Sequence, residues 1–130
     1  MHGRYLLDTN IVIALFKQDA AVQARLSAAA EILLPSTVLG ELYFGAAKSD
    51  QPQQNEARID EFARGSCTVL GTDSETARLY GSIKADLKRQ GRPVPENDVW
   101  IAASARQYGL TLVTRDLHFE RIQGLLIEAW

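Results

Sequence analysis

Residues 5–16 read YLLDTNIVIALF: a strongly apolar run stops for Asp8, Thr9 and Asn10 and then resumes. Tyr5-Leu6-Leu7 has the composition of a short buried strand. Asn10 to Phe16 suits a first helix, with Thr9 or Asn10 as its cap. A simple turn accounts for a polar triplet. So does a carboxylate held at the mouth of a hydrophobic strand for chemistry. Asp8 alone does not decide between them, so the rest of the chain must.

Downstream, strand-like and helix-like segments alternate. Ala20 to Ala30 is Ala-rich and helical by propensity. Ile32-Leu33-Leu34 is a second strand stopped by Pro35, and a helix is expected from about Thr37 to Lys48. SDQPQQN (49–55) reads as a loop and Glu56 to Arg64 as a helix. Cys67 to Leu70 is a third strand. Thr72 and Glu75 are spaced as a capping box opening a helix to about Gln90, with Gly91 as its stop. Arg92 to Pro95 is extended, Asn97 or Asp98 begins a helix to Tyr108, and Leu110 to Val113 and Leu125 to Ile127 are the last strands. Strands separated by helices are βαβ units, hence an α/β fold with a mostly parallel central sheet and helices on both faces.

Bulk properties narrow the function classes. A chain of 130 residues, 46% hydrophobic and 23% charged, fits one domain over 1–130. At that size roughly two-thirds of the unfolded surface can be buried. No apolar run approaches the ~20 residues that span a bilayer, no signal peptide is visible, and a lone Cys67 permits no internal disulfide. Together these suggest a cytoplasmic protein. A net charge of −2 argues against a histone-like binder but not against an enzyme with one local basic patch.

Four acids stand at informative places. Asp8 follows the first strand, and Asp116 follows LTLVT after Arg115, so both belong at the C-terminal edge of a parallel sheet, where such folds bind ligands. Asp98 opens a helix on the apolar face of Ile101, Ala102 and Ala105. Glu41 lies in TVLGELYFGAAK between Gly40 and Gly45, each costing that helix about 1 kcal/mol relative to alanine. Singly, each has a structural reading: helix-terminal electrostatics for Asp98, a turn for Asp116, a solvated face for Glu41, a cap for Asp8. Together they form a charge problem, since two unit charges 4 Å apart repel by about 4 kcal/mol at an effective dielectric of 20. Such a cluster takes up protons or binds a cation. All-oxygen donors suit Mg²⁺ or Mn²⁺, and that chemistry is metal-assisted phosphodiester hydrolysis.

LLDTN, STVLGEL, PENDVWIAASA and LVTRDLHF resemble the four acidic motifs of PIN-domain nucleases, in particular VapC-type toxins and the related FitB-like proteins. The resemblance runs from Tyr5 to about Ile127. It implies a PIN-like three-layer α/β/α sandwich and Mg²⁺- or Mn²⁺-dependent endoribonuclease activity as the toxin of a toxin–antitoxin pair. It also implies an RNA substrate, an inhibiting antitoxin and a homodimer. By position, Asp8, Glu41, Asp98 and Asp116 are the implied metal site, supported by Asn10, Ser36 and Thr114.

Other residues invite weaker readings. Lys84, Lys88, Arg89 and Arg92 cluster at one helix end, where they suit RNA phosphates or merely the helix dipole. Arg115, beside Asp116, is the better placed candidate for the RNA backbone. His2 and His118 have no second histidine or cysteine at ligand spacing, so neither is expected to bind metal. Cys67, Trp100 and Trp130 read as packing residues. The apolar surplus of Ile11 to Phe16, with Leu42, Tyr43 and Phe44, suggests a groove for the antitoxin or a second copy. Two other classes compete: a PIN-fold binding module without nuclease activity, and an aspartate-based phosphotransferase. Against the latter, Asn10 stands where a haloacid-dehalogenase-like enzyme needs a second Asp, and Val69-Leu70-Gly71 supplies no phosphoacceptor for a receiver-type domain.

Overall fold

The computed structural model describes residues 3–130; His2 lies outside them. Five short strands, β1 (Arg4–Leu7), β2 (Glu31–Pro35), β3 (Thr68–Leu70), β4 (Thr111–Val113) and β5 (Leu126–Glu128), form one sheet in the order β3-β2-β1-β4-β5. The expectation of a mostly parallel sheet sharpens, because all four pairings are parallel. In register, Leu6 sits between Leu33 and Leu112. Leu6, Leu7, Leu34, Leu112 and Val113 are fully buried, which a sheet covered on both faces requires.

The covering helices are α1 (Thr9–Phe16), α2 (Ala20–Ala28), α3 (Ser36–Ala47), α4 (Pro52–Gly65), α5 (Ser74–Gln90) and α6 (Glu96–Tyr108), followed by a 3₁₀ turn over Leu117–Arg121. The result is a three-layer α/β/α sandwich. Gly91 and Gly109 close α5 and α6 in the left-handed conformation, at φ of 65° and 63°, where a side chain would be strained.

Several boundaries differ from the sequence reading, each for a local reason. Asp8, not Thr9 or Asn10, caps α1: its backbone is extended and its side chain accepts the Thr9 N–H. Ala29 is extended and ends α2 two residues early. α4 starts at Pro52 within the expected loop, since proline at the first helical position forfeits no hydrogen bond. The capping box of α5 sits one residue later, on Asp73 and Thr76. α6 opens at Glu96, with Asp98 N–H bonded to Pro95 O at 3.0 Å.

The chain leaves β1 toward β2 and β3 on one side and returns to β4 and β5 on the other. The strand order therefore reverses between β1 and β4. The crevice beyond the C-terminal ends of those two strands is the switch point at which such sheets bind ligands.

Candidate metal centre

Asp8 and Thr114 occupy that switch point as the residues directly after β1 and β4. Asp8 N–H donates to Val113 O at 3.0 Å, which locks the two strand ends together. Both side chains are buried, Asp8 at 5% and Thr114 at 3% exposure. The Thr114 hydroxyl donates to Asp8 Oδ2 at 2.7 Å and accepts the Asp116 N–H at 3.0 Å. Asn10 donates through Nδ2 to the same Asp8 oxygen at 3.2 Å, while its Oδ1 accepts the Arg115 N–H at 3.2 Å. Asn10 and Thr114 thus brace Asp8 and the chain leading to Asp116. Ser36, exposed at the start of α3, has no hydrogen bond into this network among the described residues.

Asp116 caps the 3₁₀ turn by accepting the His118 N–H at 2.9 Å. The turn curls the His118 ring back, so that Nδ1 lies 2.9 Å from Asp116 Oδ1. From the other side, α6 delivers Asp98. One oxygen each from Asp98 and Asp116 and one ring nitrogen of His118 lie within 4.8 Å of one another. The sequence reading set His118 aside for want of a second histidine or cysteine. The structure places its ring near two carboxylates, through an Asp-x-His spacing that a one-turn helix folds onto itself.

α3 packs against both α1 and α6 and presents Glu41 to the same region. Glu41 Oε1 is buried without a hydrogen-bond partner, and so is Thr9 Oγ1. The glycines beside Glu41 do not reflect tight packing within the chain, because a Cβ at Gly40 or Gly45 would meet nothing within 4 Å.

The electrostatics record the convergence. Burial pushes the Asp8 carboxyl above the usual range, only partly offset by Thr114 and the Thr9 N–H, and Asp116 adds to the rise. Glu41 is raised by burial and by Asp8, while the neighbouring Thr9 hydroxyl works against the rise without the geometry of a full hydrogen bond. Asp98 is pushed up to about 6, first by burial and then by Asp8, Asp116 and Glu41. Acids that raise one another's pKa, together with an orphaned carboxylate oxygen, fit a divalent cation, whose charge removes the penalty. Oxygen donors of this kind match a hard ion.

The cations are mostly engaged elsewhere. Arg115 turns from the acids to bond Trp130 O at 2.8 Å and Asp19 at 2.9 Å. Lys84 pairs with Glu96 at 2.9 Å, and Arg89 pairs with Asp86. Lys88 and Arg92 have no ion pair among the described residues. They line a cavity of about 350 Å³ with Leu87, Pro93, Val94 and Val99, the last of these adjacent to Asp98. Trp100 stacks on Tyr80 at 4.0 Å and Trp130 meets Tyr5 edge-on, so both aromatics are packed within the chain. Of the apolar surplus, Ile11, Val12 and Leu42 are core. Ile13 at 42% and Phe44 at 66% exposure are the outward-facing members.

Comparison with known proteins agrees with this architecture. Residues 5–125 match the PIN domain family. Ribonuclease VapC2 of Haemophilus influenzae and the tRNA(fMet)-specific endonuclease VapC of Shigella flexneri are each 41% identical to this chain over 130 residues, covering 98% of both sequences. Among solved structures, a chain of VapBC2 from Rickettsia felis, bound to a DNA fragment from its promoter, superposes with a TM-score of 0.92. It is 31% identical over 98% of each chain.

Proposed function

The chain belongs to the PIN domain family, and from that premise we propose that it is an endoribonuclease hydrolysing RNA phosphodiester bonds as the toxin of a toxin–antitoxin pair. PIN-domain nucleases use a divalent metal. Here Asp8, Glu41, Asp98 and Asp116 would hold Mg²⁺ or Mn²⁺. The observation that carries this reading is the convergence of Asp8, Glu41, Asp98 and Asp116 at one strand edge, close enough to raise one another's pKa.

A bound ion of this kind polarises a phosphate oxygen and acidifies a water. The protein residues orient and insulate. Thr114 and Asn10 fix Asp8 in one rotamer, the Asp8 N–H tie to Val113 holds the two strand ends in register, and the 3₁₀ turn holds Asp116. Lys88 and Arg92, carrying uncommitted charge beside α6, are the better candidates for RNA phosphates. Arg115, Lys84 and Arg89 are already paired. Ile13 on α1 and Phe44 on α3 offer apolar surface for an antitoxin or a second copy in a homodimer. Among the described residues no helix is long and apolar enough to cross a membrane, and a cytoplasmic setting is proposed.

Purified protein should cleave RNA when Mn²⁺ or Mg²⁺ is added and stop when the ion is chelated. Mn²⁺ at 100 times its Kd should also stabilise the fold by about 2.7 kcal/mol. Metal binding with no cleavage of any RNA offered would favour the silent binding module. A stable acyl-phosphate would favour phosphotransfer.

A further inference from the structure

Building on the metal-nuclease reading, we propose that His118 is itself a metal ligand, giving this centre one imidazole nitrogen beside its carboxylates and a preference for Mn²⁺ over Mg²⁺.

Three observations carry this. First, Asp116 caps the 3₁₀ turn through the His118 N–H at 2.9 Å, which sets the His118 backbone beside that carboxylate. Second, a ring nitrogen lies within 4.8 Å of oxygens of both Asp98 and Asp116, which come from different elements, so one ion could reach all three. Third, the Nδ1 to Oδ1 separation of 2.9 Å, a direct ion-pair distance when the site holds no ion, equals the spacing of two adjacent ligands of one six-coordinate ion, whose bonds of about 2.1 Å place neighbours about 3 Å apart. The ring is 46% exposed, so it can settle on an ion without disturbing the core around Phe119.

A structural role explains less. A histidine that only steadied Asp116 would not need to approach Asp98. Nor is Arg115 placed to neutralise the acids, because its guanidinium is bound to Asp19 and Trp130 O. The chemistry of the donor set then determines the metal. Mg²⁺ favours carboxylates and retained waters, whereas imidazole suits transition metals. An imidazole therefore adds more to Mn²⁺ binding than to Mg²⁺ binding.

The test uses the full chain loaded with Mn²⁺ alone and electron spin-echo modulation to detect nitrogen coordinated to the ion. Wild type should show nitrogen coupling that changes isotope pattern when histidine is ¹⁵N-labelled. The chain has two histidines, so His118→Gln assigns the signal by abolishing it. In titrations the same variant should bind Mn²⁺ about 10-fold or more weakly, with Mg²⁺ affinity changed less than about 3-fold. Mn²⁺ bound without nitrogen coupling in wild type would overturn the assignment of His118 while leaving the carboxylate centre intact. Equal losses for both ions would do the same, making His118 a support for Asp116. Failure of wild type to bind Mn²⁺ at all would overturn the metal centre, and His118 with it.

Discussion

Asp8 and Asp73 both cap helices, α1 in one case and α5 in the other, and both accept backbone N–H groups of the helix they open. Asp73 is exposed and receives the N–H groups of Glu75 and Thr76 and the Gln107 amide at 3.0, 3.1 and 2.8 Å. Those donors, the Thr76 N–H foremost, hold its carboxyl below the usual range. Asp8 has three donors of its own, yet burial and Asp116 leave its carboxyl above that range. Capping explains Asp73 completely. It does not explain Asp8, because an uncharged Ser or Thr would cap α1 without the cost of a buried charge among other acids.

The largest expected effect separates the two caps. Asp8→Asn keeps an acceptor for the Thr9 N–H and removes charge from the cluster. Its amide NH₂ replaces the oxygen that accepts from Thr114 and Asn10, which offsets the relief of buried charge. The variant should stay folded without metal, yet lose cleavage by about 10²–10³-fold, the loss typical of removing one electrostatic stabiliser of a transition state. Asp73→Ala should do the reverse: normal cleavage and a thermal midpoint lower by a few degrees, from loss of a cap. Paired thermal melts and RNA cleavage assays read both. Full activity in Asp8→Asn, or an inactive but folded Asp73→Ala, would erase the distinction.

A smaller effect appears in the pH dependence of stability in metal-free protein. Asp19 and Asp73 are held low, so their contribution is present above their unfolded value near 3.8 and fades as pH falls through their folded values. Asp98, raised to about 6, works in the opposite sense. Between about pH 4 and 6 the folded state binds more protons than the unfolded one, so stability is lost as pH rises through that window. Asp98→Asn should therefore gain stability relative to wild type progressively from pH 4 to 6 and hold a constant advantage above about 7. Saturating Mn²⁺ should cancel that advantage. Chemical denaturation at each pH measures it, and a difference independent of pH would mean that Asp98 is neither desolvated nor held among like charges.

How far the site was legible from sequence depends on how far apart its parts lie along the chain. Asp8 and Asp116 followed apolar strands, and strand ends of a parallel sheet share an edge, so their meeting was readable. Asp98 was readable from the apolar face it precedes. The position of His118 beside these acids was not readable, because it depends on a 3₁₀ turn folding the ring onto an acid two residues back. The contacts of Arg115 were hidden for a related reason. Adjacency to Asp116 suggested shared work, but its partners are Asp19 in the loop before α2 and the carbonyl of Trp130, contacts made only when the fold closes. In the fold itself, element order and type were readable, while caps and first turns slipped by one to four residues. Asp8 read as a strand end was also a cap, and Pro52 read as a loop residue began a helix.

The contrast between satisfied and unsatisfied charge extends to the cations, where the effect is smallest. Lys84, Arg89 and Arg115 are balanced by Glu96, Asp86 and Asp19; Lys88 and Arg92 are not balanced by any carboxylate among the described residues. If uncommitted charge marks the RNA path, removing Lys88 and Arg92 together should flatten the salt dependence of RNA binding by about 1.4 in slope, roughly 0.7 for each single-strand phosphate contact. Lys84→Ala and Arg89→Ala should leave the slope unchanged. Binding is best followed in the Asp8→Asn background, so that cleavage does not consume the RNA. The affinity loss at moderate salt should be modest and uniform across RNA sequences, since phosphate contacts carry no base information. A slope that falls for Lys84→Ala but not for Lys88→Ala would mean that RNA displaces Glu96 from its lysine, moving the path to the Tyr80–Trp100 face of α5 and α6.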